Sequence, residues 1–210
     1  MELVLAQLEE LFFSSSFAPG DHLNEFYLAR QMGVSRASFR EAARKLEQRG
    51  WLVSLPNRGF FVRRFGEKEV SDLYEARFCL EAFALHKALP GLSAASRAAL
   101  EEGFAALQAA AEGPQEPAVI DALLGFHRAL ASLADNAIVL STFDGLAMDT
   151  KLLVSLMGGV KANPKVFVRR NALLLRALLE EQPAAAEAEL KRYLGQGLEE
   201  MRGFVRAAPG

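Results

Sequence analysis

One amphipathic segment, residues 35–48, constrains the fold more than any other part of this sequence. It is long enough for about four helical turns, at roughly 3.6 residues per turn. Ser35 is suited to cap the start of a helix, and Gly50 stands where a helix usually ends. Apolar residues recur at spacings of three and four, which predicts one buried face. These residues are Phe39, Ala42, Ala43 and Leu46.

A second face of this segment is cationic, because Arg36, Arg40 and Arg44 follow one another at intervals of four residues. Residues 23–30 predict a shorter helix upstream, and Gly33 lies in the turn between the two. This is the pattern of a helix-turn-helix. Its second helix has the shape and charge that fit the major groove of DNA.

A β-hairpin wing is predicted directly after this pair of helices. Apolar residues 51–53 and 60–62 flank residues 54–59, whose Pro, Asn and Gly mark a turn, with Arg58 at its tip. Residues 35–64 contain seven Arg and one Lys against two Glu, a net charge of +6, whereas the whole chain carries −2. A single surface arginine is ordinarily just solvated. This concentration of cations on an acidic chain instead indicates a polyanionic partner.

The motif LxxxxLAxxxGVSRxxxREAxxxLxxxGW, followed by NRGxxV, resembles the winged-helix domain of GntR-type bacterial transcription regulators. The resemblance implies binding to double-stranded DNA. Phe26 departs from it, since many members have a DNA-binding arginine there, and Ala-Ser-Phe at 37–39 replaces the usual Thr-Pro-Val. These differences concern base preference rather than the fold. The DNA-binding residues that we expect are Ser35, Arg36, Ser38, Arg40, Arg44, Arg58 and Gly59.

The remainder of the chain predicts helices alone. A boundary is expected near Gly66, which gives a winged helix-turn-helix domain over 1–66 and an all-helical domain over 67–210. Six amphipathic segments with short connections imply a compact six-helix bundle. They begin near residues 67, 93, 117, 136, 165 and 183. The predicted fold class is therefore mainly α, with a small β-hairpin wing.

This second half is similar to the all-helical effector domain, often called FCD, of the FadR branch of the same family. The similar features are VSDLYEARFCLE at 70–81, Phe126-His127 with Asn136 following, and Arg169-Arg170. The resemblance implies a homodimer and a pocket for a small organic effector, often an acid. It also implies, for many members, a divalent metal held by one Asp and three His.

The pocket residues that we expect are Arg77, His127, Arg170, Asn171 and Tyr193. Two alternatives stay open for Arg77, which either pairs with Glu81 one turn on or binds a ligand carboxylate bidentately. Arg170 has the same two alternatives. A lone histidine such as His127 is more often a satisfied core residue than a ligand.

The metal site of the family is predicted to be lost, so no cofactor is expected. The first ligand of the family lies four residues before the histidine, where this chain has Leu123. Asn171 and Tyr193 stand at the other two ligand positions that the resemblance implies. A single imidazole would not hold a divalent cation. We expect His127, Asn171 and Tyr193 to offer hydrogen bonds directly to an organic effector instead.

Catalysis is not expected from this sequence. Cys79 and His86 are roughly 10 Å apart along one predicted helix, and no phosphate loop, nucleophile elbow or HExxH motif occurs. The leading hypothesis is an effector-controlled, dimeric regulator, expected to be a repressor, that binds a palindromic operator. The alternatives are a regulator with a vestigial pocket, or a small-molecule enzyme or binding protein with an incidental basic surface. A single cysteine and no apolar run of about 20 residues predict a cytoplasmic protein without membrane contact.

Overall fold

The computed structural model describes residues 2–14, 16–113, 116–156 and 164–207. The chain divides into two compact units, the first built mainly from residues before Gly66 and the second mainly from residues after it. In the described parts of the chain, no helix is both long enough and apolar enough to cross a membrane.

Within its described residues, the first unit contains three helices and a two-stranded antiparallel hairpin. The helices are α1 (Glu2–Phe13), α2 (Glu25–Gln31) and α3 (Arg36–Gln48). The strands are β1 (Leu52–Leu55) and β2 (Gly59–Val62). The helix-turn-helix predicted from the sequence is confirmed as α2 and α3, and the wing is confirmed as β1 and β2.

Local signals account for the ends of α3. The Ser35 hydroxyl oxygen accepts a hydrogen bond from the backbone N–H of Ser38 at 3.0 Å, which caps the helix. Gly50 follows the helix with a φ of +74°, a conformation that side chains with a Cβ rarely adopt. The whole predicted apolar stripe is fully buried. Its residues are Phe39, Ala42, Ala43 and Leu46.

The wing is longer than the sequence predicts. Leu52 pairs with Val62 and Leu55 with Gly59, so the first strand extends two residues beyond the apolar run at 51–53. Backbone pairing, rather than burial, carries this extension, because Ser54 and Leu55 are exposed. Residues 56–58 are then left as a tight turn.

The described part of the second unit forms six helices, as predicted. They are α4 (Glu67–Ala88), α5 (Ala94–Glu112), α6 (Glu116–Ser132), α7 (Ala137–Leu156), α8 (Lys165–Leu179) and α9 (Pro183–Ala207). Helix α4 packs against α6 and α9, and α8 packs against α5 and α9. Side chains from α4, α6, α8 and α9 therefore meet in the interior of this unit.

Candidate functional site

A cleft with a volume of about 690 Å³ lies in the first unit between the helix-turn-helix and the wing. We call it the basic cleft. It is lined by His22, residues 24–26, Arg36, Arg40 and residues 54–60. Arg36, Arg40, Arg58 and Gly59, four of the residues predicted to bind DNA, line this one surface.

Arg40 is held in place by Glu25, the first residue of α2. Its Nη1 donates to both carboxylate oxygens of Glu25, at 2.9 and 3.0 Å. Arg36 Nη2 lies 3.7 Å from the same carboxylate, so one acid serves two arginines. The Glu25 side chain is 10% exposed, whereas those of Arg36 and Arg40 are 65% and 47% exposed. The arginines are thus oriented by a buried acid while they remain open to a partner.

The other residues predicted on α3 have different surroundings. Ser35 is occupied as the helix cap, and its hydroxyl also lies 2.9 Å from that of Ser38. Both oxygens therefore lie at the helix start, where the positive end of the helix dipole favours an anion. Arg44 is exposed one turn beyond Arg40 and does not line the basic cleft.

The tip of the wing is shaped by Gly59. Its φ is +84°, and a Cβ built there would lie 3.2 Å from Nε2 of His22. A larger residue would therefore be strained and would also push against His22. The neighbouring Arg58 places its guanidinium 5.3 Å from the centre of the Phe61 ring, a cation–π contact that directs it along the wing.

Glu25, His22 and Phe26 line the basic cleft but were not among the predicted site residues. No local pattern shows that Glu25 meets Arg40, because the two are fifteen residues apart and are joined only by the crossing of α2 and α3. The departure at Phe26 was visible in the sequence as a difference from the family.

In the second unit, buried polar side chains form a continuous polar cluster of Arg77, Glu81, His127, Asn171 and Tyr193. Arg77 donates to Glu81 Oε1 from Nε at 3.2 Å and from Nη2 at 3.0 Å. The other carboxylate oxygen, Oε2, accepts from His127 Nδ1 at 2.5 Å. Of the two alternatives that the sequence left open for Arg77, the structure shows the pairing with Glu81, and the side chain is interior as well.

His127 stacks on Tyr193, with ring centres 4.7 Å apart. Its Nε2 is buried and has no hydrogen-bond partner. The same holds for Asn171 Oδ1, while Asn171 Nδ2 donates to the Phe167 carbonyl at 2.9 Å. Gln196 Oε1 is a further buried acceptor without a partner, three residues after Tyr193 on α9. Gln196 was not predicted, since an amide on an amphipathic helix gives no sign of its burial.

Burial changes the ionisation of the cluster. It raises the pKa of the Tyr74 phenol to about 12, and it also raises that of Tyr193. Burial alone would raise the pKa of Glu81 as well. The electrostatic pull of His127 and Arg77, with their hydrogen bonds, outweighs burial and holds the pKa of Glu81 below its usual value.

Arg170, the remaining residue predicted for the pocket, is paired with an acid on α9. Its Nη2 donates to Glu200 Oε1 at 2.9 Å, and the side chain is 20% exposed. This ion pair on the rim of the bundle is the alternative to ligand binding that the sequence left open. The contact shown for Arg170 is thus with α9 and not with the polar cluster.

The residues present do not fit the metal of the family. The first ligand position is occupied by Leu123, which is buried, and His127 Nδ1 is hydrogen-bonded to Glu81. Within the described ranges, no group of three or more His, Cys, Asp and Glu side chains is placed to hold a metal ion. The loss of the metal stays a prediction that elemental analysis can test.

Comparison with known protein families identifies both halves. Residues 72–196 match the family described as FCD domain, and residues 2–62 match the family described as bacterial regulatory proteins, gntR family.

Among curated relatives, the HTH-type transcriptional regulator YdhC of Bacillus subtilis (strain 168) is 30% identical over 131 residues, which cover 62% of this chain and 58% of that protein. The Nta operon transcriptional regulator of Aminobacter aminovorans is 43% identical over 75 residues, 36% of each chain. This chain therefore spans less than two thirds of the length of either relative.

Solved structures share the fold. A transcriptional regulator GntR of Rhodococcus sp. RHA1 superposes with a TM-score of 0.80 at 23% identity, over 99% of this chain and 98% of that one. McbR/YncC of E. coli superposes with a TM-score of 0.75 at 22% identity, over 96% of both chains. The family matches and these solved structures agree on the fold. The chain belongs to the gntR family of bacterial regulatory proteins, and its second unit contains an FCD domain.

Proposed function

We propose that this chain is a sequence-specific DNA-binding transcriptional regulator, most simply a repressor, controlled by a small molecule bound among the helices of its second unit. The observation that carries this proposal is the basic cleft, where Arg36, Arg40, Arg58 and Gly59 line one surface between α3 and the wing. The arginines supply phosphate and base contacts, and Glu25 fixes their geometry without neutralising all of them.

The direct test is selection of bound sequences from random duplex DNA with the purified chain. We expect enrichment of one motif with two-fold symmetry, because a single winged helix offers a small interface and a dimer reads two half-sites. Binding should weaken steeply as salt rises. Failure to enrich any motif would leave the alternative of an enzyme or binding protein with an incidental basic surface.

A homodimer is part of the proposal. The chain has a mass of 22.9 kDa, and light scattering at micromolar concentration should give twice that mass. A stable monomer under those conditions would contradict the two-fold symmetric mode of binding.

The polar cluster supports a ligand of particular chemistry. Asn171 Oδ1 and Gln196 Oε1 are buried acceptors without partners, and leaving such atoms unpaired costs about 1–3 kcal/mol each. His127 Nε2 is a third buried polar atom without a partner. The two unpaired amide oxygens favour an effector that carries N–H or O–H donors. An acid would instead compete with Glu81 for Arg77 and with Glu200 for Arg170.

Thermal-shift measurements on the metal-free chain distinguish an effector that carries N–H or O–H donors from a carboxylic acid. Small amines and polyols should raise the melting temperature more than simple carboxylic acids of equal size, and Asn171→Leu should remove the effect. A carboxylic acid that stabilises the wild type and Asn171→Leu equally would contradict the assignment. Stoichiometric zinc, nickel or manganese that is lost in His127→Ala would show that the cluster holds a metal after all.

A further inference from the structure

The basic cleft contains a large apolar side chain that the fold does not bury. Phe26, the second residue of α2, is 63% exposed, although it lines the cleft together with Arg36 and Arg40. In the described parts of the chain, its ring makes no ring–ring or cation–ring contact. Isolated exposed apolar residues are common, so the exposure alone assigns no role. Its surroundings do.

Phe26 stands beside the part of α3 that is suited to reading bases. Its chain neighbour Glu25 binds Arg40 at 2.9 Å and lies 3.7 Å from Arg36. These arginines lie in the first two turns of α3, and the amino-terminal residues of a recognition helix are those that reach base edges in the major groove. A side chain that opens into the same cleft faces the same groove.

The chemistry of a phenyl ring limits what it can contact there. It offers no hydrogen bond to a phosphate or to the polar edge of a base. The major groove presents one apolar group, the C5-methyl group of thymine, and apolar side chains recognise it by contact. We propose that Phe26 is a specificity-determining residue that packs on the methyl group of one thymine in each operator half-site. This inference rests on the DNA-binding function proposed above.

The test removes only the methyl group. Duplexes enriched by the wild-type chain are resynthesised with each thymine replaced singly by deoxyuridine, which keeps the base pair. Fluorescence anisotropy with the full chain then gives Kd for each duplex. We expect one thymine per half-site at which deoxyuridine weakens binding about fourfold, the effect of one buried methyl group.

The protein variants assign that effect to Phe26. Phe26→Ala should bind the thymine and deoxyuridine duplexes with equal Kd, and Phe26→Leu should keep part of the preference. Tyr27→Ala is the matched control, because Tyr27 is also aromatic and 61% exposed but does not line the cleft. It should keep the whole thymine preference. Circular dichroism should show the same melting temperature for Phe26→Ala and the wild type.

A thymine preference that persists in Phe26→Ala would overturn the inference, as would a motif without any position that distinguishes thymine from deoxyuridine. A loss of affinity in Phe26→Ala that is equal for the thymine and deoxyuridine duplexes would also overturn the inference. Such a loss is expected if the ring inserts between neighbouring base pairs instead of contacting a methyl group. If the wild type enriches no motif, the proposed function itself fails. An enriched motif without methyl dependence overturns only the role of Phe26.

Discussion

Glu25 shows how a single acid can serve a surface that is proposed to bind DNA. A carboxylate near phosphates is unfavourable by itself, but this one is almost buried and binds Arg40 with both oxygens. A planar guanidinium held in this way loses fewer orientations when it binds a base. Under the proposed DNA-binding function, Glu25 therefore weakens the attraction to DNA of any sequence but fixes the arginine geometry, which favours one sequence over others.

The substitution Glu25→Gln tests this balance. It keeps the size of the side chain and removes its charge. We expect tighter binding to random DNA and weaker binding to the selected motif, so that the ratio of the two affinities falls fivefold or more, about 1 kcal/mol. Glu41→Gln is the control, because Glu41 is exposed on α3 and carries the same charge. Equal falls in the two variants would mean that charge alone, and not Arg40 geometry, explains the result.

Close packing of α5 on α6 depends on Gly103. A Cβ at Gly103 would lie 3.2 Å from Cα of Phe126, which is helix backbone and moves little. Gly125, on α6, has no atom within 4 Å of a Cβ built there. An alanine in a helix interior is otherwise favoured over glycine by about 1 kcal/mol.

Urea unfolding of the two alanine variants tests this contact. Gly125→Ala should raise the free energy of unfolding by up to about 1 kcal/mol. Gly103→Ala should lose that gain to the contact with Phe126 and be no more stable than the wild type. Equal stabilisation by the two substitutions would show that α5 and α6 have more room than the structure indicates.

The elements themselves could be predicted because their signals are local. The cap at Ser35, the glycine at Gly50 and the three-and-four spacing of apolar residues act within a few turns of chain. Contacts between elements could not be predicted in this way. Glu25 meets Arg40, and Arg170 meets Glu200, only once helices have packed, and the sequence does not show that the Oε1 atom of the half-buried Gln196 is buried. The resemblance to a family located four of the five residues of the polar cluster, and the spacing of Arg77 and Glu81 raised their pairing as one alternative, but nothing local showed that His127 meets Glu81.

At the scale of the whole molecule, the buried phenols couple stability to pH. The pKa of Tyr74 is raised to about 12, and that of Tyr193 is raised in the same direction, whereas an unfolded tyrosine titrates near pH 10. Because the folded values are the higher ones, their contribution to stability is complete below pH 10. It is lost as the pH rises from 10 towards 12 and beyond.

Tyr193→Phe should flatten this alkaline loss, since it removes one of the two groups that must ionise. Melting temperatures from circular dichroism between pH 8 and 12 would show the difference between the variant and the wild type. The same slope in both proteins would contradict the assignment of the loss to Tyr193.

The proposed function depends on whether the arginines of the basic cleft bind DNA. The most direct measurement is Kd of the full chain for its selected duplex, compared between Arg40→Ala and Arg176→Ala. Each variant removes one cation that is paired with a glutamate, but Arg176 lies on α8 in the second unit, paired with Glu180. We predict at least tenfold weaker binding for Arg40→Ala, about 1.4 kcal/mol, with wild-type affinity for Arg176→Ala, and circular dichroism should show that both variants are folded. Equal affinities for the two variants would contradict the account.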